Sequence, residues 1–408
     1  MPEIYVYAEL LLHIRQLTLY ASLEEDKFQG TEVLLSSDKK VITFIYGDTT
    51  ASIYLPTQIK GTANITFPEK RRTDLSTKLQ IEDLNELQQA IDASPGIQVP
   101  WTAASLSSEV ELQCKSCSSV VLDSGTISEW RDLPSENWAE LMDLWFCHKP
   151  HEHNHDDTLA AESKGFSAQS KVINEPHIGL VDTLSFLIHA DDSKAMQEAT
   201  GDDIAEHQRK ASALTCGGCG AFLGTLNATE ASHRLWKSRL ALKAQPDGDL
   251  DSFDASIFIG AQMLQLIESS ISRRIVVHAG ASAGLLCWIF NPDLYYSSSR
   301  RGPTVHRAMK VFYKEIDDAL KMLDENSTTL EELALPDSEL TSLKETLTGT
   351  ADILPASART FQEWQVGLID RYEANPSGLG AMDQNALNRK TDEIELFKLP
   401  PGWASLYE

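Results

Sequence analysis

The chain has 408 residues and a mass of 45.2 kDa, enough for two or three domains with real cores and far too long for a disulfide-stapled miniprotein. Its 42% hydrophobic and 23% charged residues match an ordinary folded protein. The 35 basic residues against 60 acidic ones give a formal charge of −25, a field that repels a nucleic-acid backbone, so direct nucleic-acid binding is not expected.

The amino terminus, Met1-Pro2-Glu3, lacks the basic start of a secretion signal, and no run approaches the roughly 18–20 apolar residues of a membrane helix. The expected setting is cytoplasmic and nuclear, with no membrane partner. In such a reducing compartment, paired cysteines point to metal or redox chemistry before disulfides.

In chain order, Ile4 to about Phe67 is rich in β-branched and aromatic runs. Val41–Tyr46 and Ala51–Leu55 flank Gly47-Asp48, which predicts a β-hairpin in a mostly antiparallel domain. Residues 82–93 have helical spacing. Strand character returns over 109–123, and Ser135 is a plausible cap for a helix carrying Trp138, Leu141, Met142 and Trp145. The polar stretch after it is expected to be a loop, Gly179–His189 a strand, and Asp191–Gln208 a polar, helical insert. Residues 255–272 read as an amphipathic helix, Arg274–His278 and Leu285–Phe290 as strands, and 305–324 and 329–348 as helices, with 363–372 as a last core element. The expected fold class is α+β: a β-rich domain over 1–109, a zinc-binding region with a His-rich loop over 110–246, a carboxyl-terminal α+β domain over 247–372, and an extended tail over 373–408.

Three motifs carry chemistry. Cys114-x-x-Cys117 and Cys216-x-x-Cys219 each set two thiols on one tight turn, at the bite of a tetrahedral zinc ion, and Gly217, Gly218 and Gly220 suit the backbone of such a knuckle. One shared structural zinc is the expectation. Separate redox pairs and two unconnected buried pairs are the alternatives. His151, His153, His155 and Asp156 resemble a binuclear-zinc signature in the wrong order, so the run reads as a solvated loop or as ligands for a partner's metal. Gly280-Ala-Ser282-Ala-Gly284 has the spacing of a nucleophile elbow, but no helix can follow it before Asn291-Pro292, so it reads as a glycine-rich hairpin turn.

The segment Leu133-Pro-Ser-Glu-Asn-Trp138, followed by Leu144-Trp145-Phe-Cys147-His148, resembles the HECT-like ubiquitin-conjugating-enzyme-binding family, the ubiquitin ligase E3D-type proteins, in a fungal version. The flanking Cys114/Cys117 and Cys216/Cys219-x-x-x-Leu223-Gly224 fit the same family. The resemblance implies binding of a ubiquitin-conjugating enzyme with ligase-like activity. It also implies a link to the metallo-β-lactamase-type endonuclease of pre-mRNA 3′-end processing, whether the protein acts as ligase or only as that endonuclease's assembly factor. Trp138, Trp145, Cys147, His148, His151, His153, His155 and Asp156 are the partner-binding residues it implies. A thioester-forming ligase needs a cysteine near its carboxyl terminus, and none follows Cys287, which lies in an apolar run typical of an inert thiol. Cys147, beside His148, is the better reactive candidate.

Overall fold

The computed structural model describes residues 4–23, 32–60, 74–81, 96–133, 175–199, 212–227, 231–280, 283–326 and 329–374. Two compact units emerge: residues 1–99 together with 259–408, and residues 100–258. The expected helices at 82–93 and after Ser135 lie outside the described residues.

The first unit opens with β1 (Ile4–Leu11), β2 (Gln16–Leu23), β3 (Glu32–Leu35), β4 (Val41–Tyr46), β5 (Thr49–Tyr54) and β6 (Asp74–Gln80). In β1 both faces are buried, and the period of two sorts them. Ile4, Val6, Ala8 and Leu10 enter one core with Ile42, Phe44 and Ile53, whereas Tyr5 and Tyr7 enter a second core. β4 and β5 form the expected hairpin around Gly47, whose φ of +57° is the left-handed conformation a tight two-residue turn requires.

The second unit contains β7 (Glu111–Cys114), β8 (Val120–Leu122), β9 (Glu129–Asp132), β10 (Ile178–Val181), β11 (Ser185–His189), β12 (Met196–Ala199), β13 (Ser212–Cys216), β14 (Phe222–Asn227), β15 (Ser232–Trp236), β16 (Leu240–Lys243) and β17 (Leu250–Asp251). A seven-stranded sheet runs β12-β13-β14-β15-β11-β10-β9 and a four-stranded one β17-β16-β7-β8. The described part of 191–208 supplies strand β12 in place of the expected helical insert. The aromatic core gathers Trp101, Trp130, Phe186, Phe253 and Phe258. Fully buried within it, Lys237 holds its Nζ 3.4 Å from the Pro100 carbonyl and 5.2 and 5.9 Å from the Phe186 and Phe258 ring centres.

The expected amphipathic helix is α1 (Ala255–Ser269). The first unit then resumes with β18 (Arg274–His278), β19 (Gly284–Ser298), β20 (Gly302–Ile316), α2 (Ala319–Glu325), β21 (Glu331–Ala334), α3 (Asp337–Thr350), β22 (Thr360–Phe361) and β23 (Trp364–Asp370). One nine-stranded sheet joins the chain's two ends: its path is β22-β23-β20-β19-β1-β2-β6, with β18 on β19 and β21 on β18. β1 pairs with β19 through Tyr7↔Ser298 and Leu10↔Tyr295.

Three expectations are corrected here. Most of 305–324 is strand β20 and not helix, because Val305, Met309 and Val311 on one side and Ala308 and Phe312 on the other are all buried. Within 329–348 a short strand precedes the helix, which begins at Asp337. Pro292 does not end its strand: β19 continues to Ser298 through register shifts at 289–294, where the proline needs no ladder donor. The strand-rich result is an α+β fold. No helix among the described residues is long and apolar enough to cross a membrane.

Candidate metal centre

The two Cys-x-x-Cys turns close in the same way. In the first, the Cys114 N–H donates to the Ser119 carbonyl at 2.9 Å and the Ser118 N–H to the Cys114 carbonyl at 2.8 Å. In the second, the Cys216 N–H donates to the Ala221 carbonyl at 2.8 Å and the Gly220 N–H to the Cys216 carbonyl at 2.7 Å. Each turn needs a left-handed residue four places after its first cysteine, and φ is +60° at Ser118 and +74° at Gly220. Glycine takes that conformation without cost, whereas serine there opposes the preference of an L side chain.

The other two glycines act through space. A Cβ on Gly218 would stand 2.4 Å from Ser119 Oγ, and one on Gly217 would stand 2.9 Å from the Ala195 carbonyl, which accepts the Gly217 N–H at 2.7 Å. Gly218 thus lets one turn lie directly against the other, a role invisible in the spacing.

β7 carries Cys114 in the four-stranded sheet and β13 carries Cys216 in the seven-stranded sheet, so the cluster fastens one sheet to the other. All four sulfurs lie within 4.8 Å of one another, with Cys114–Cys219 at 3.8 Å and Cys117–Cys216 at 3.5 Å. A tetrahedron with metal–sulfur bonds of about 2.3 Å has edges of about 3.8 Å, so these sulfurs already stand near coordination distance. Cys114 and Cys216 are buried and Cys117 and Cys219 exposed. Lys115, between the cysteines of the first turn, donates to the Phe253 carbonyl at 2.7 Å and lies 3.5 Å from Asp254.

The sulfurs are electrostatically unequal. The Ser119 hydroxyl and N–H draw the Cys117 thiol down to about 6, while burial pushes Cys114 up. On Cys219 the Ala221 N–H acts downward, but the contact with Cys117, burial and the other two sulfurs prevail and push it up to about 12. A thiolate forms readily on Cys117, and a second negative charge on Cys114 or Cys219 is resisted. A divalent cation removes that resistance by supplying the missing positive charge. The four residues can therefore hold one metal ion.

The other motifs also find their places. Cys287 is enclosed on β19 between Ile275 and Tyr313, and burial pushes its thiol up to about 12. β19 begins at Gly284 and pairs antiparallel with β18, so a strand and not the helix of a nucleophile elbow follows the motif. Trp138, Trp145, Cys147, His148, His151, His153, His155 and Asp156 all lie outside the described residues. Sequence reasoning missed Ser119 and the Ala195 carbonyl, which lack any motif and are brought to the turns by the fold.

Among curated proteins, the chain is 25% identical over 344 residues to "Uncharacterized protein YJR141W" of Saccharomyces cerevisiae, covering 82% of this chain and 92% of that one. It is 25% identical over 333 residues to "Uncharacterized protein C1734.10c" of Schizosaccharomyces pombe, covering 77% and 91%. No solved structure matches. Residues 9–366 match the family described as HECT-like ubiquitin-conjugating enzyme (E2)-binding. That match spans strands of both units and all four clustered cysteines, and the chain belongs to this HECT-like E2-binding family.

Proposed function

We propose that this protein binds a ubiquitin-conjugating enzyme and promotes ubiquitin transfer from it, in the cytoplasm and nucleus, without carrying ubiquitin on a cysteine of its own. The family match over residues 9–366 carries this reading. Zinc is the ion proposed for Cys114, Cys117, Cys216 and Cys219, since four thiolates in a tetrahedral cage suit it. Four sulfurs leave no open coordination position, so its role is structural.

The absence of a covalent intermediate rests on the state of the described cysteines. Cys287 is enclosed and its thiol held protonated by burial, and the other four face one another. Cys147, outside the described residues, lies far in sequence from the carboxyl-terminal position at which a thioester-forming ligase carries its cysteine. The test is discharge of ubiquitin from a pre-charged conjugating enzyme, read on non-reducing gels, with Cys147→Ser and Cys287→Ser alongside. The expected result is faster discharge with no adduct on this chain and no change in either variant. An adduct lost in Cys147→Ser overturns the non-covalent reading, and no acceleration across a panel of conjugating enzymes overturns the ligase-like one.

The second reading is a binding factor for the metallo-β-lactamase-type pre-mRNA 3′-end endonuclease. It is favoured by the Leu133–His148 resemblance and by the imidazoles of His151, His153 and His155. Alanine changes across Trp145–Asp157 should then abolish that complex while sparing the conjugating enzyme. An intact endonuclease complex would overturn it.

A further inference from the structure

We propose that the conjugating enzyme docks on an aromatic face of the first unit's large sheet, using a segment that presents an apolar side chain flanked by carboxylate. The inference rests on the E2-binding reading above. Direct strand pairing lines up Arg274 on β18, Trp288 on β19, Phe312 on β20 and Val366 on β23 in one row across the sheet. Phe290 stacks on Phe312 with ring centres 4.6 Å apart and planes 4° apart, and Phe361 lies 5.6 Å from the same ring. Trp288 joins Trp364 at 5.9 Å, edge to face.

Phe312 and Trp364 are 6% exposed and anchored in the core below, but Phe290 and Phe361 are 45% and 48% exposed. Ring-to-ring contact makes them one surface and not scattered apolar residues, which are common and need no explanation. Fully exposed Ile271 precedes β18 on the same chain segment. Rigid aromatic groups on an ordered sheet lose little freedom on binding, which is why such residues dominate binding hot spots.

Charge selects the partner's character. The protein carries a net −25 and repels acidic surfaces in general. At this face, however, the cations gather: Lys314 lies 4.9 Å from the Trp364 ring centre and pairs with Glu363 at 3.7 Å, and the Arg274 guanidinium stands 5.7 Å from the Trp288 ring centre. Arg274 is exposed and has no ion pair among the described residues. A carboxylate beside the docking segment's apolar side chain would supply that pair, giving orientation and a faster encounter.

The test measures binding of the full-length protein to a panel of purified ubiquitin-conjugating enzymes. Variants are Phe290→Ser with Phe361→Ser, Arg274→Glu with Lys314→Glu, and, as a control outside this aromatic cluster, Ile14→Ser, a residue 62% exposed. Thermal unfolding confirms that each variant folds. The aromatic pair should weaken binding about 30-fold, the scale of one strong hot spot. The charge reversal should weaken it about 10-fold and flatten its salt dependence, and the control should leave it unchanged. Wild-type affinity in both test variants overturns the docking face while leaving the E2-binding reading intact. Failure of the wild type to bind any member of the panel overturns both. Loss of self-association in the aromatic variant, with conjugating-enzyme affinity unchanged, assigns the face to a second copy of the chain and overturns the proposal.

Discussion

Each unit buries one lysine among its described residues, and the two are accommodated by different means. In the first unit Lys310 donates to Glu9 Oε2 at 2.5 Å, and Tyr7 donates to the same oxygen at 3.0 Å. These partners come from strands 301 residues apart in sequence that share one sheet. In the second unit Lys237 has no carboxylate within ion-pair distance among the described residues. It rests on two aromatic rings and one carbonyl, and burial draws it down to about 7 although Asp182 and Asp132 act upward. The first unit closes by strand pairing between the chain's two ends, which brings opposite charges together. The second unit is assembled from shorter strands in two sheets, with clustered sulfurs between the sheets and an aromatic core.

Disrupting the proposed zinc site is the largest way to break that contrast. Cys216→Ser, or chelation, should cost the second unit on the order of 10 kcal/mol, the scale of a structural zinc site. Hydrogen exchange should show the loss of protection in β7, β8, β13 and β16, with β1 and β19 unaffected. Equal loss in both units would erase the distinction.

Next in size, Lys310→Met leaves the Glu9 carboxylate buried without its counter-charge and should destabilise the first unit by about 3–5 kcal/mol. The double change Lys310→Met with Glu9→Gln should recover most of that, because the uncompensated charge is gone. Urea titrations of the three proteins check this, and a double variant no better than the single would contradict it.

The effect smallest per step, about 1.4 kcal/mol for each pH unit, sharpens the comparison through pH. Lys237 binds its proton less tightly in the folded protein, at about 7, than in the unfolded chain, at 10.5, with Asp182 and Asp132 as the acids that act on it. Its contribution to stability therefore rises as pH climbs from about 7 to about 10.5 and is flat below that window. Lys237→Met should remove the rise, so its advantage over wild type shrinks by about 1.4 kcal/mol per pH unit inside the window. Parallel stability curves for the two proteins would show that the amine does not titrate there.

Local signals explain what is legible in the sequence. Gly47-Asp48 between two β-branched runs identifies the β4–β5 hairpin, and the two Cys-x-x-Cys turns announce sulfur chemistry because the ligand bite is itself local. β20 mimics a helix because both its faces are buried and because Arg307 and Lys310 are buried in ion pairs, which removes the alternation of apolar and polar residues that marks a half-exposed strand. The pairing of β1 with β19 has no local signature in the sequence. Likewise Gly218 reads as a turn residue, yet it is needed where Ser119 of the other turn lies against it. Such contacts exist only after distant segments meet.

The most direct measurement is native mass spectrometry of the purified protein, wild type beside Cys114→Ser with Cys216→Ser. One zinc ion per wild-type chain and none in the variant is the expected result. Two ions per chain, one on each turn, or a metal-free wild type with undiminished protection in the second unit would contradict the shared structural site.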